Sequence, residues 1–401
     1  MEHLIIIFTI CLGLSVILSE ICYRVRYPRI IGPILTGIIL GIGPIGDYIR
    51  RAESQISFLS ELSIIFLLFL AGLEINISKF KKASKDATLI AFFSAALPFI
   101  MGFFSVIILY NVGILSGSDQ YLVATIVGAC MALTAEGTSL AMLIEMNALN
   151  TRIGTIILGA GILDDIFEVF FISAFLIFIN ETSNLLFLPI SIFVFVIVIL
   201  LIWKLVPWLI RFIQKEDSRI STVSTFIVIT FFMASLASLF GFSPLIGAFI
   251  GGIIIQLSTG NREEERMNIE ELKVLTFSLI VPFFFINIGL HFDFTSILAH
   301  PVLTLIVLAV AVTSKIFGAL IITPFTSLSL RQTHLVGWAM NARGAMELVI
   351  LELARMNGLI SLNIYSAIVI MTIITTLIFP VIFKTIVGKD ATILNKFERV
   401  S

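Results

Sequence analysis

Residues 153–171 read IGTIILGAGILDDIFEVFF, an apolar run of helix length with two adjacent aspartates, Asp164 and Asp165, near its middle. A stretch of about 20 mostly apolar residues is what a helix needs to cross the hydrocarbon core of a bilayer. The rest of the chain repeats the pattern: of 401 residues 59% are hydrophobic and 13% charged, and the mean hydropathy is +1.11. This composition excludes a water-soluble globule, and apolar windows without two-residue alternation exclude a transmembrane β-barrel. The net charge of −1, with no basic stripe to receive phosphates, excludes nucleic acid as a partner. Cys11, Cys22 and Cys130 have neither disulfide nor zinc spacing and read as buried small hydrophobes.

Working outward from that run, hydropathy places thirteen spans near 4–23, 29–47, 56–73, 87–110, 121–146, 153–179, 185–210, 221–240, 242–258, 273–290, 298–323, 333–355 and 361–383. The fold class is an all-α polytopic membrane protein. Nineteen of the 25 Lys and Arg residues fall in the connections after odd-numbered spans and in the C-terminal tail, whereas the opposite loops hold only Arg50 and Arg51. Cytoplasmic loops carry such an excess, so the N-terminus is expected outside and the C-terminus in the cytoplasm. The polar stretch Thr259–Leu272 reads as a cytoplasmic loop with a short surface helix. A central span 7 leaves six spans on either side in opposite orientations, the plan of inverted six-helix repeats.

A charge at mid-bilayer costs at least about 2.5–3.5 kcal/mol, so buried ionisable residues need a reason. They concentrate in spans 5, 6, 11 and 12: Glu136, Asp164, Asp165, Glu168, Lys315, Arg343 and Glu347. Two adjacent carboxylates in a low dielectric do not both ionise cheaply, and once deprotonated they form a hard-oxygen site for a small cation. Protons and a monovalent cation then compete for the same atoms. Gly159 and Gly161, one turn earlier, allow close helix approach.

Span 5 contains GACMALTAEGTSLAML, where Thr134, Glu136, Gly137, Thr138 and Ser139 interrupt the apolar run. An unwound segment there offers carbonyls and hydroxyls to a cation. Span 12, in the matching position of the other repeat, reads GWAMNARGAMELVI, with a second break expected at Asn341 and Gly344. Spans 5 and 12 are therefore expected to be discontinuous. Lys315 lies too deep to snorkel and needs a carboxylate, with Asp164 and Asp165 as candidates. Arg343 and Glu347, spaced i, i+4, read as a structural ion pair. Lys204 and Arg355 are expected at the membrane interface, with Trp203 and Trp208 in an aromatic belt.

The segments LLFLAGLE (67–74), GILDD in span 6, SPLIGAFIGGIII (243–255), VPFFFINIGLHFDF (281–294) and NARGAMEL in span 12 are each weak alone. In this order and spacing the chain resembles the monovalent cation/proton antiporters of the NapA-like and Kef-like branch over nearly its whole length. The resemblance implies a transporter rather than an enzyme, with no cofactor, that exchanges sodium or lithium for protons electrogenically in the plasma membrane and contributes to pH homeostasis. It further implies a homodimer working by an elevator mechanism. A core domain (about 87–179 and 298–383) would slide against a dimer domain (about 4–73 and 221–290), with 185–210 as linker. By the same resemblance Asp165 is the main ion and proton ligand, Asp164 pairs with Lys315, and sodium displaces that pairing. Thr134, Thr138 and Ser139 are expected beside the transported cation, and Asn341 is a further candidate. Glu136 and Glu168 depart from the family pattern.

A potassium/proton antiporter of the same fold is the alternative. An ion channel is remote, because a deep proton-competitive site hinders permeation. An intramembrane aspartyl protease needs its two aspartates on different helices and is excluded.

Overall fold

The computed structural model describes residues 2–394 other than 26, 75–83, 118, 135–138, 140, 141, 144, 145, 147, 149, 150, 162, 165–196, 207, 209–218, 241 and 260–262. Their regular elements are helices: α1 Glu2–Arg24, α2 Ile31–Leu40, α3 Gly43–Ile49, α4 Glu53–Glu74, α5 Lys85–Asn111 and α6 Gln120–Ala132. Then come α7 Arg152–Gly161, α8 Ile197–Val206, α9 Arg219–Leu239, α10 Pro244–Thr259, α11 Glu263–Leu275 and α12 Val281–Leu290. The chain continues through α13 Phe294–Ala299, α14 Pro301–Ile321, α15 Leu330–Ala339, α16 Ala345–Met356 and α17 Leu362–Lys389. Among the described residues seven helical segments are long and apolar enough to cross a membrane, and five shorter apolar helices accompany them. Most of expected span 6 and the start of span 7 lie outside the described residues.

The surface helix expected in 259–272 is present as α11, but it does not stop where span 10 begins. A single π-helical turn, Thr276–Ile280, joins α11 to α12 without a loop. Ser63 donates to the Ile280 carbonyl at 2.7 Å, satisfying a polar group beside the distorted turn.

The chain divides into two compact units. The first comprises Met1–Gly13, Pro44–Ile75 and Ile172–Asn287. Its core gathers Phe66, Phe69 and Leu73 of α4 with Phe226 and Met233 of α9 and Ile254 of α10. Two glycines set the spacing of α4 and α10. A Cβ on Gly72 would collide with the Phe249 carbonyl oxygen, and one on Gly252 with that of Phe69. Backbone-to-backbone approach of this kind replaces the hydrophobic drive that helices lack in lipid.

The second unit comprises Leu14–Gly43, Asn76–Phe171 and Ile288–Ser401. Here α5 packs on α6 and α14, α14 also packs on α15 and α17, and α16 packs on α6. A Cβ on Gly318 would sit 2.6 Å from the Phe93 carbonyl oxygen, so α14 lies directly against the α5 backbone. Capping fixes several helix starts: Asp119 accepts from Tyr121 N at the start of α6, and Ser329 with Gln332 forms a capping box at the start of α15.

Gly72→Leu or Gly252→Leu is expected to force α4 and α10 apart, costing about 1–3 kcal/mol or more. Thermal unfolding in detergent checks this, and a wild-type midpoint in both variants contradicts the close-packing assignment.

Candidate ion-binding site

Two short helices of the second unit stop inside the apolar interior. α6 ends at Ala132, and Leu133 turns to extended backbone (φ −73°, ψ 150°). α15 ends at Ala339; after Met340–Ala342 and Arg343, α16 starts behind an extended Gly344 that no side chain caps. The two breaks meet: Ser139 Oγ donates to the Ala339 carbonyl at 2.7 Å.

A helix end leaves its last carbonyls without partners, and in an apolar interior each must find a donor. Two buried cations supply them. Arg343 Nη1 lies 3.0 Å from the Cys130 oxygen, 2.8 Å from that of Met131 and 2.8 Å from that of Leu133. Lys315 Nζ donates to the intervening carbonyl, Ala132, and to Thr134 Oγ1 at 2.6 Å. Both side chains have 0% exposure. Positive charge at a helix C-terminus also complements the macrodipole.

Besides these carbonyls, each cation faces a buried carboxylate. Asp164, just beyond α7 and 1% exposed, has Oδ2 4.0 Å from Lys315 Nζ, and that oxygen has no hydrogen-bond partner among the described residues. Lys315 is bonded to Thr134 and faces this carboxyl, so Lys315, Thr134 and Asp164 form a contiguous set. Gly159 on α7 packs against Ala87, where a Cβ would come 3.0 Å from the alanine methyl. Arg343 Nη1 reaches Glu347 Oε2 at 3.3 Å, while Thr372 Oγ1 donates to Oε1. Asn341 Nδ2 donates to the Gly337 carbonyl at 3.0 Å, and its Oδ1 has no partner among the described residues.

The structure thus brings Asp164, Lys315 and Thr134 together and places Ser139, Asn341, Arg343 and Glu347 on the two breaks that flank them. Asp165, Thr138, Glu136 and Glu168 lie outside the described residues. Arg343 does more than the i, i+4 pairing anticipated, because its strongest contacts are with the end of α6. Arg355, part-exposed at the end of α16, pairs with Glu352, which is 0% exposed and was missed as a buried acid. Thr372 was also missed; one hydroxyl among many threonines in an apolar run gives no signal of its partner.

The chain carries oxygen ligands and counter-charges but, among the described residues, no cluster of His, Cys, Asp and Glu fit for a resident metal. Residues 7–389 match the family described as sodium/hydrogen exchanger, transmembrane. The chain belongs to this family. The relatives of this exchanger-family chain include a Na+/H+ antiporter of Enterococcus hirae, 32% identical over 375 residues covering 91% of this chain and 93% of the relative. The Na+/H+-K+ antiporter GerN of Bacillus cereus is 28% identical, with 92% of each chain covered. In fold, it is similar to the sodium/proton antiporter MjNhaP1 of Methanocaldococcus jannaschii, with a TM-score of 0.68 at 16% identity over 99% of this chain and 100% of that one.

Arg343→Met removes the donor shared by three carbonyls and leaves Glu347 buried without its counter-charge. A loss of about 3–5 kcal/mol is expected, as for other broken buried pairs. Arg343→Lys should recover part of it. Chemical or thermal unfolding of purified protein checks both, and a wild-type midpoint for Arg343→Met contradicts the capping role.

Proposed function

We propose that this protein is a secondary antiporter that exchanges sodium or lithium for protons at Asp164 and Asp165. The observation that carries the reading is the open Asp164 Oδ2, buried 4.0 Å from a lysine that is hydrogen-bonded to the α6 end. An oxygen in that setting takes either a proton or a small hard cation, and the two exclude one another.

In this reading Asp165 is the main ligand, with the hydroxyls of Thr134, Thr138 and Ser139 as further oxygen donors. Cation binding to the carboxylates weakens the Asp164–Lys315 attraction and releases protons, and more than one proton per cation makes the cycle electrogenic. Glu136 and Glu168 add negative charge and tune the selectivity. Alternating access is of the elevator type. The carrier is a homodimer of thirteen-span protomers in the plasma membrane, N-terminus outside and C-terminus in the cytoplasm, built from inverted repeats. No resident cofactor is needed, because the cation and the proton are the substrates.

A second reading, potassium/proton exchange at the same site, draws support from GerN, whose name includes K+ as well as Na+ and H+.

The experiment is purified protein in proteoliposomes with an imposed proton gradient. Sodium is expected to collapse the gradient in the wild type, with Asp164→Asn strongly reduced and Asp165→Asn inactive. A membrane-potential shunt should accelerate the exchange. Response to potassium but not sodium selects the second reading; full activity in Asp165→Asn overturns the site assignment; no response to any of the three cations overturns the antiporter reading.

A further inference from the structure

A third buried carboxylate lies apart from Asp164 and Glu347. Glu352, on α16, is wholly buried, and both of its oxygens are engaged. Arg355 holds it with two bonds, Nε to Oε2 at 3.0 Å and Nη2 to Oε1 at 2.7 Å. The Tyr365 hydroxyl, from the first turn of α17, donates to Oε2 at 2.9 Å and lies 3.3 Å from the Ile288 carbonyl of α12. Tyr365 is itself 0% exposed.

Burying an ion pair is seldom the most stabilising choice, since apolar residues of similar volume do as well or better. The cluster has a geometric consequence instead. α16 carries two buried acids, Glu347 and Glu352, and each accepts a hydroxyl from α17: Glu347 from Thr372, Glu352 from Tyr365. The later acid on α16 meets the earlier hydroxyl on α17, so the pairs form two rungs between antiparallel helices. Five residues separate the acids, about 7.5 Å of rise, and seven separate the hydroxyls, about 10.5 Å; the longer tyrosine side chain accommodates the difference. One rung leaves a helix free to rotate and slide about the contact. Two fix both its rotation and its height.

We propose that the Tyr365–Glu352–Arg355 cluster is a positioning device for ion exchange, locking the register of α16 on α17 and thereby the placement of Arg343 and Glu347 at the head of α16. This rests on the exchange site proposed above. Glu352 and Tyr365 touch neither ion nor proton; they act through the helix. Arg343 in turn holds the α6 end, to which Lys315 of α14 is bonded where it faces Asp164. A small rotation of α16 therefore reaches the Asp164 carboxyl through a chain of contacts already named.

The test uses Tyr365→Phe, which removes only a hydroxyl, together with Glu352→Gln, which keeps an acceptor for it. In proteoliposomes both variants are expected to raise the apparent KM for sodium several-fold and to displace the pH profile of exchange, at unchanged reconstituted amounts. Hydrogen–deuterium exchange of amides 345–348 is expected to rise in the same variants. Adding Thr372→Val to Tyr365→Phe should change KM by less than the product of the single effects, because losing either rung already frees the register. Unchanged KM, pH profile and amide exchange in Tyr365→Phe overturn the proposal, and multiplicative effects of the two rungs do so as well. If the wild type itself responds to no cation, the exchange reading fails separately, and amide exchange alone decides whether the register lock stands.

Discussion

The carbonyl groups at the end of α6 dictate much of the second unit. A helix that stops within hydrocarbon exposes acceptors that water cannot reach, and each one left alone costs several kcal/mol. Cys130, Met131, Ala132 and Leu133 all find donors, and all of those donors are cations: Arg343 for three, Lys315 for the fourth. Two charges that would be prohibitive in an apolar helix are thus compensated first by backbone dipoles and only second by carboxylates. Coulomb attraction still acts at 3.3 and 4.0 Å, but neither acid is locked in a short bidentate pair.

In the proposed exchange cycle that division is what separates an ion site from a structural salt bridge. A tight pair would bury its oxygens in fixed hydrogen bonds, and a weakly bound cation could not compete with them. Here Ala132 and Thr134 hold the lysine by bonds that do not involve the Asp164 carboxyl. The carboxylate can change occupant without the surrounding frame collapsing. Packing supports the same end: Gly318, one turn beyond Lys315, seats α14 against the α5 backbone and so fixes where the ammonium emerges. Glu352 on α16, engaged on both oxygens by Arg355 and Tyr365, contrasts with Asp164.

Much of this was legible in the sequence, because cost in a membrane is easy to read. Asp164, Lys315, Arg343 and Glu347 stand out against apolar runs, and hydroxyl, Asn and Gly residues at 134–139 and 341–344 signal places where a helix cannot continue comfortably. What sequence spacing could not supply was the partner of each charge. The i, i+4 relation correctly pairs Arg343 with Glu347, but it gives no sign that the same guanidinium also reaches carbonyls more than two hundred residues away. The bidentate contact of Arg355 with Glu352 depends on a rotamer that no pattern encodes. The continuous passage from α11 into α12 was hidden for a different reason: a polar surface segment and an apolar span look like two elements, yet one π turn lets the backbone run through both.

In the proposed function, cation and proton contend for the same buried carboxylates, whose counter-charges are held by a helix end. Proton release on cation binding, measured with purified protein in weakly buffered detergent solution, tests it most directly. Sodium added to the wild type should acidify the medium in a saturable way, with the apparent affinity falling as pH is lowered and the release much reduced in Asp164→Asn. Saturable sodium binding without proton release, or release undiminished in Asp164→Asn, would contradict it.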